Sequence, residues 1–262
     1  MTTLSRPVPA RRLGQTEALS LAVPEEVPVA MVYDEVSYAV MMATPADLED
    51  FAYGFSLTDG MIAKAGEIEA VAVNETSQGI EVAITLADSW LETTARPRRL
   101  TAGTACGLCG VDALAKVKPV IETVPRRLTV SAASIVTAVR SLGDHQPLNR
   151  ATHAVHAAAW SDRRGRILLA REDIGRHNAL DKLVGALLRG GIDPADGFCL
   201  ITSRCSYEMV QKAVAYGIEL VVAVSGPSGL ALDLAASAGL SLVAIARDDA
   251  QTVFTGPERI TA

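Results

Sequence analysis

At 262 residues, 49% hydrophobic and 21% charged, the chain can bury a substantial core and has the balance of a soluble globular protein. No apolar run reaches the roughly 18 residues of a membrane span, and the basic start (Arg6, Arg11, Arg12) leads into no apolar stretch, so neither a transmembrane segment nor a secretory signal is expected. Four cysteines, two of them in one CxxC, argue against a disulfide framework and for the reducing cytoplasm.

Val27 to Tyr33 and Val36 to Ala43 read as strands, apolar and rich in β-branched residues. Thr44 and Pro45 then suit the N-cap and first position of a helix, with Asp47 and Glu49 near its positive end, running to about Thr58 before Gly60. Glu67 to Val73 and Gly79 to Leu86 alternate in strand fashion around the turn-prone Asn74–Gln78. A loop with Arg96, Pro97, Arg98 and Arg99 follows. Between Thr93 and Arg127 seven basic residues stand against two acids, although the whole chain carries −6. Such a local excess suits an anionic ligand or partner as well as a merely solvated surface.

Within that stretch lies Thr104-Ala105-Cys106-Gly107-Leu108-Cys109-Gly110. Gly103, Gly107 and Gly110 leave the two sulfurs uncrowded, and Asp112 to Lys118 reads as a helix starting just beyond them. A helix N-terminus and nearby arginines favour thiolate, the reactive form, which could hold a sulfane sulfur as a persulfide. Three other readings share the signature. A zinc site needs two further ligands, yet Cys199 and Cys205 lack the spacing, and His153 and His156 fall on opposite faces of an expected strand. A thioredoxin-like centre would follow a strand directly, and two incidental cysteines remain possible.

In the second half, His153 to Trp160 and Arg166 to Arg171 read as a hairpin, followed by a helix from about Asn178 to Arg189. Short apolar runs at Phe198–Thr202, Leu220–Val224 and Leu242–Ala246 alternate with helices near Ser206–Tyr216 and Ser228–Ala238. This is the pattern of an α/β protein with a mixed, largely parallel sheet that binds ligands beyond its carboxyl ends. Gly175-Arg176-His177-Asn178 precedes a helix, where N–H groups and Arg176 suit a phosphate; Asn178 equally suits a cap, and His177 a ligand contact or a packed polar residue. Thr202-Ser203-Arg204 sits at a second strand-to-helix turn and Ser225-Gly226-Pro227-Ser228 at a third, while Cys205 reads as a small filler.

The CGLCG motif, the stretch Glu172-Asp173-Ile174-Gly175-Arg176-His177-Asn178-Ala179-Leu180-Asp181-Lys182 and the stretch Ser203-Arg204-Cys205-Ser206-Tyr207-Glu208-Met209-Val210-Gln211-Lys212 together resemble the formate dehydrogenase accessory sulfurtransferase family, FdhD, over nearly the whole chain. The resemblance implies a cytidine-deaminase-like mixed-sheet α/β core over residues 129–262, a smaller α+β part over residues 1–100, and the CxxC loop and helix between them, over residues 101–128. It implies a cytoplasmic homodimer that moves sulfur from a cysteine desulfurase to the molybdenum bis(molybdopterin guanine dinucleotide) cofactor of formate dehydrogenase, without nucleic acid, membrane or structural metal. Cys106 would carry the persulfide, with Cys109 beside it. The cofactor would contact Ile245, Ala246, Arg247, Asp248, Asp249 and Ala250, joined by Arg204, Arg176 and His177. Some members have a Pro-Gly-Arg end where this chain has Arg247 followed by two acids, which repel phosphate unless they face guanine or ribose donors. Deamination is not implied, because the H-x-E and P-C-x-x-C zinc signature is missing. Two alternatives are a non-catalytic cofactor chaperone and a zinc-dependent hydrolase or deaminase.

Overall fold

The computed structural model describes residues 3–88, 122–247 and 250–262; Cys106, Cys109, Asp248 and Asp249 lie outside these described residues. The chain opens with an antiparallel ribbon that its sequence does not advertise, β1 (Ser5–Arg11) and β2 (Ala18–Pro24). Pro7 and Pro9 and a mostly solvent-facing pattern hide β1 from a strand reading. Then come β3 (Val27–Tyr33), β4 (Val36–Ala43), α1 (Leu48–Thr58), β5 (Ile68–Thr76) and β6 (Gly79–Leu86). Asp34 and Glu35 both take positive φ in the two-residue turn between β3 and β4, as a tight hairpin requires. The sheet order is β4-β3-β6-β5.

Helix α1 starts later than expected, with Asp47 rather than Thr44 at its N-cap. Thr44 is fully buried and spent elsewhere: its N–H donates to Asp173 Oδ2, its Oγ1 accepts from the Ile174 N–H, and its carbonyl accepts from Lys182 Nζ. A tertiary demand thus overrides a good local cap.

The remainder comprises β7 (Val130–Ser131), α2 (Ala132–Ser141), α3 (Pro147–Thr152), β8 (His156–Asp162), β9 (Ile167–Asp173), α4 (Arg176–Arg189), β10 (Gly197–Ile201), α5 (Tyr207–Tyr216), β11 (Leu220–Ala223), α6 (Gly229–Ala238), β12 (Ser241–Arg247), β13 (Ala250–Thr255) and β14 (Ile260–Thr261). Ser228 caps α6 by accepting from the Ala231 N–H, and Ser206 occupies the N-cap of α5. The six-stranded sheet runs β13-β12-β11-β10-β8-β9. It is mixed but not largely parallel: only β10, β11 and β12 run together, whereas β8, β9 and β13 pair antiparallel. The helical crossovers after β10 and β11 enforce parallel neighbours, while the short turns after β8 and β12 permit only reversal. His153 is not on a strand at all; it ends α3 with a left-handed backbone.

Alternating β10 residues feed two apolar layers. Cys199 and Ile201 face α4, α5, α1 and the four-stranded sheet, while Phe198 and Leu200 face Ile135, Ala138 and Val139 of α2. The first layer is continuous across both halves of the chain. Its closest seam is α1 against α4, where a methyl built on Gly54 would lie 1.7 Å from the Asp181 carbonyl oxygen and one on Gly185 1.8 Å from that of Asp50. Neither obstacle is a side chain that can rotate away. Overpacking of about 1–3 kcal/mol outweighs the roughly 1 kcal/mol that Ala returns in helix propensity. With backbone oxygens this close the upper half of that range applies, so Gly54→Ala or Gly185→Ala is expected to cost about 1–2 kcal/mol net in a urea titration, and an unchanged midpoint would show that the helices separate freely.

Beyond the cysteine segment the chain is tied to the amino end of the large sheet. Buried Glu219 Oε2 accepts from the Arg127 and Leu128 N–H groups and from Arg259 Nε, and Arg259 Nη2 donates to the Pro125 carbonyl. Arg127 itself is paired with Asp193 through two hydrogen bonds of 2.7 and 2.8 Å, so this charge of the basic stretch is already engaged.

Candidate functional site

The turn from β9 into α4 is wired from within. Asp173, fully buried, accepts from Lys182 Nζ at 2.6 Å, from the Thr44 and Gly175 N–H groups, and from Asn178 Nδ2. Asn178 is thus no helix cap; Gly175 holds that position, and Asn178 also donates to the Met42 carbonyl. Gly175 has no room for a side chain, since a Cβ there would sit 2.9 Å from Asn178 Nδ2. Glu172, preceding Asp173, accepts the first N–H groups of α3 from Leu148 and Asn149. Much of this stretch is therefore architecture, and it leaves Arg176 and His177 in the first turn of α4.

That first turn is unusual. No side chain caps α4 and no acid lies in its first turn, so two basic residues sit where the helix end is already positive. Arg176 Nε and His177 Nε2 are buried with no hydrogen-bond partner. His177 Nε2 lies 3.8 Å from Glu208 Oε2, beyond hydrogen-bond reach but within range as a counter-charge when protonated. Burial would raise the Glu208 carboxyl, yet His177, the Ser206 hydroxyl at 2.7 Å and its own backbone N–H hold it at about 2.

Beside this turn, β10 leads into Thr202, Ser203 and exposed Arg204. The Thr202 N–H donates to the Ala157 carbonyl, and its Oγ1 accepts the Ala157 N–H, which locks the loop to the start of β8. Lys212 of α5 reaches back to Asp181 of α4 at 2.8 Å and to Thr58 of α1. The second and third sequence blocks are thus physically interlocked, Asp181 with Lys212 and His177 with Glu208. The loop after β10 is in turn laced to the loop after β11: the Cys205 N–H donates to the Gly226 carbonyl and the Ser228 N–H to that of Cys205.

One strand further, the Ile245 N–H donates to the Ser225 carbonyl. Ile245 has φ 53°, which is strained for a β-branched residue, and its side chain is exposed where the β12–β13 register slips between Ala244 and Arg247. Ala246 is buried, whereas Arg247 and Ala250 are exposed. Arg176, Arg204 and Arg247 have no carboxylate partner among the described residues. A depression lined by Asp162, Arg163, Arg164, Arg166 and Asp196 opens at the opposite end of the sheet, where Arg163 pairs with Asp196 and Arg166 with Asp162.

Two of the four cysteines can be placed. Cys199, in the middle of β10, and Cys205 are completely buried and unpaired. Burial pushes the Cys205 thiol up to about 12 and, with Cys205 close by, raises that of Cys199 further. Sequence reasoning missed His156 and Glu208. His156, first residue of β8, is under the electrostatic influence of Arg176, His177 and Arg204; in the sequence it enters only as a rejected zinc partner of His153. Among the described residues no three His, Cys, Asp or Glu side chains converge as a metal site, and no helix is long and apolar enough to cross a membrane.

Comparison with known proteins agrees with the sequence resemblance. The profile of the FdhD/NarQ family matches residues 24–261. A protein of Agrobacterium fabrum named sulfur carrier protein FdhD is 45% identical over 255 residues, covering 96% of this chain and 93% of that one. Its namesake in Xanthomonas euvesicatoria pv. vesicatoria is 42% identical over 259 residues, covering 97% and 91%. A crystal structure from Desulfotalea psychrophila, described as a candidate formate dehydrogenase accessory protein, superimposes with a TM-score of 0.77 at 27% identity and covers 98% of both chains.

Proposed function

The chain belongs to the FdhD/NarQ family, and from that premise we propose that it carries sulfur on Cys106 to a molybdenum cofactor destined for formate dehydrogenase. The observation that carries this reading is an elimination: Cys199 and Cys205 are closed off by burial and by raised thiol pKa, which leaves the glycine-flanked pair Cys106 and Cys109. The step is an exchange. The Cys106 thiolate attacks the outer sulfur of a cysteine desulfurase persulfide; an S–S bond forms at Cys106, the donor S–S bond breaks, and the desulfurase cysteine leaves as thiolate. A carrier thiol must stay reduced between cycles, which fits the cytoplasm.

The receiving cofactor, molybdenum bis(molybdopterin guanine dinucleotide), is the substrate of the second transfer. Its guanine nucleotide end is assigned to the carboxyl ends of β9, β10 and β12: Arg176, His177 and Arg204 on one side, Ile245 to Ala250 on the other. Support comes from guanidinium groups without carboxylate partners among the described residues, the uncapped α4, and the strained, exposed Ile245. Arg247 supplies a charge-assisted hydrogen bond to phosphate, so Arg247→Ala is expected to weaken GDP binding by about 10- to 100-fold, or roughly 1.5–3 kcal/mol. GDP should bind more tightly than ADP, with Asp248 and Asp249 accepting the guanine N1–H and N2–H₂. Calorimetric titration of GDP and ADP against wild type, Arg247→Ala, Asp248→Asn and Asp249→Asn tests this. Equal GDP and ADP affinities would remove guanine recognition, and unchanged GDP affinity in Arg247→Ala would move the phosphate contact elsewhere.

A further inference from the structure

We propose that His156 completes a diphosphate-binding cluster with Arg176, His177 and Arg204, and that occupancy of the cluster is coupled to protonation of the His156 imidazole. The inference rests on the cofactor-site reading above and adds to it a residue that no motif contains, together with a linkage.

His156 is held between the two loops that carry the basic groups. It pairs with Asp173 across β8 and β9, three residues before Arg176. The next residue, Ala157, exchanges two hydrogen bonds with Thr202, two residues before Arg204. The charged groups that act on the imidazole are Arg176, His177 and Arg204 on the positive side and Asp173, its cross-strand neighbour, on the negative. Asp173 is already engaged by Lys182, two backbone N–H groups and Asn178, and Glu208 by the Ser206 hydroxyl, with His177 Nε2 3.8 Å away. Two guanidinium groups and two imidazoles therefore share one corner of the sheet with no uncommitted carboxylate among the described residues, beside a helix end that is itself positive. An anion removes this repulsion. A diphosphate suits it best, because two adjacent phosphate groups can engage both arginine forks.

Burial first, then Arg176, His177 and Arg204, lowers the His156 pKa, with Asp173 opposing. The imidazole is thus neutral in the free protein near neutral pH. A bound diphosphate reverses the sign of the local field and favours the imidazolium, so binding takes up a proton. Affinity is then flat at high pH, rises as pH falls through the bound-state pKa, and levels off below the free-state value, which lies under about 6.5.

The probe is diguanosine diphosphate, whose diphosphate is a diester with no titrating group in this range. Calorimetry between about pH 8 and pH 5.5, in buffers of differing ionisation enthalpy, reads affinity and protons together. Wild type is expected to tighten by up to about tenfold per pH unit across the rise and to take up close to one proton. His156→Gln should bind with a flat pH profile and no proton uptake, while His177→Gln keeps the slope whatever its affinity. Diadenosine diphosphate should show the same slope, because the diphosphate is shared. A wild-type slope persisting in His156→Gln, or seen only with the guanine ligand, overturns the proposal and leaves the cofactor site standing. No binding at any pH by wild type of unchanged melting temperature takes down the cofactor-site reading and this inference with it.

Discussion

Cys106→Ala is expected to abolish sulfur carriage entirely rather than reduce it. Sulfur transfer requires a thiolate that can meet the donor persulfide in line, and two of the chain's four cysteines fail on both counts. Cys199 is enclosed by β8 and β11, and neither it nor Cys205 has any exposed surface. With its thiol pushed up to about 12, Cys205 would be thiolate in only about one molecule in 10⁵ at pH 7. Wild type incubated with a cysteine desulfurase and cysteine should gain the mass of one sulfur atom, mapped to the Cys106 peptide. Cys106→Ala should gain nothing, whereas Cys199→Ala and Cys205→Ala should load as wild type does. A label on the Cys199 or Cys205 peptide would sink the assignment. Full maturation of formate dehydrogenase by Cys106→Ala would turn the protein into a cofactor chaperone.

How much of this could be read from the chain differs by feature. The apolar runs of β10, β11 and β12 and the serines before α5 and α6 carry their structure locally, and the expected boundaries fall within one or two residues. Strand direction does not reside in such runs; it follows from the length of each connection, so β8, β9 and β13 turn a seemingly parallel sheet mostly antiparallel in its pairings. The ribbon of β1 and β2 escaped notice because prolines at Pro7 and Pro9 are tolerated only on an edge.

The site divides in the same way. Arg176 and Arg204 were legible because a basic residue at a strand-to-helix turn has few structural uses. Thr44, Asp181 and Glu208 were not, since each is defined by a partner 31 to 138 residues away. Motif membership does not by itself assign a role: Asp173, Asn178, Asp181 and Lys182 share a stretch with Arg176 and His177, yet they bind the protein to itself.

Lys182→Met should expose that internal role most severely. Lys182 and Asp173 are both completely buried, 2.6 Å apart, and the ammonium also donates to the Thr44 carbonyl and lies 5.7 Å from the Phe51 ring centre. Met fills nearly the same volume, so little packing is lost. What remains is a carboxylate in the core with hydrogen bonds but no counter-charge, a defect costing on the order of 3–5 kcal/mol. Against a total stability of about 5–15 kcal/mol, that is enough to leave the variant marginal at 37 °C. Adding Asp173→Asn removes the stranded charge, so the double variant should recover part of the loss even though the amide replaces an acceptor of the Thr44 N–H. The first turn of α4 should suffer as well, because Asp173 Oδ1 holds the Gly175 N–H and Asn178 in place. Nucleotide affinity should therefore fall in both variants, while urea denaturation shows the double variant as the more stable. A single variant within about 1 kcal/mol of wild type would mean that the Asp173 charge finds another partner, and that the β9–α4 turn does not depend on this pair.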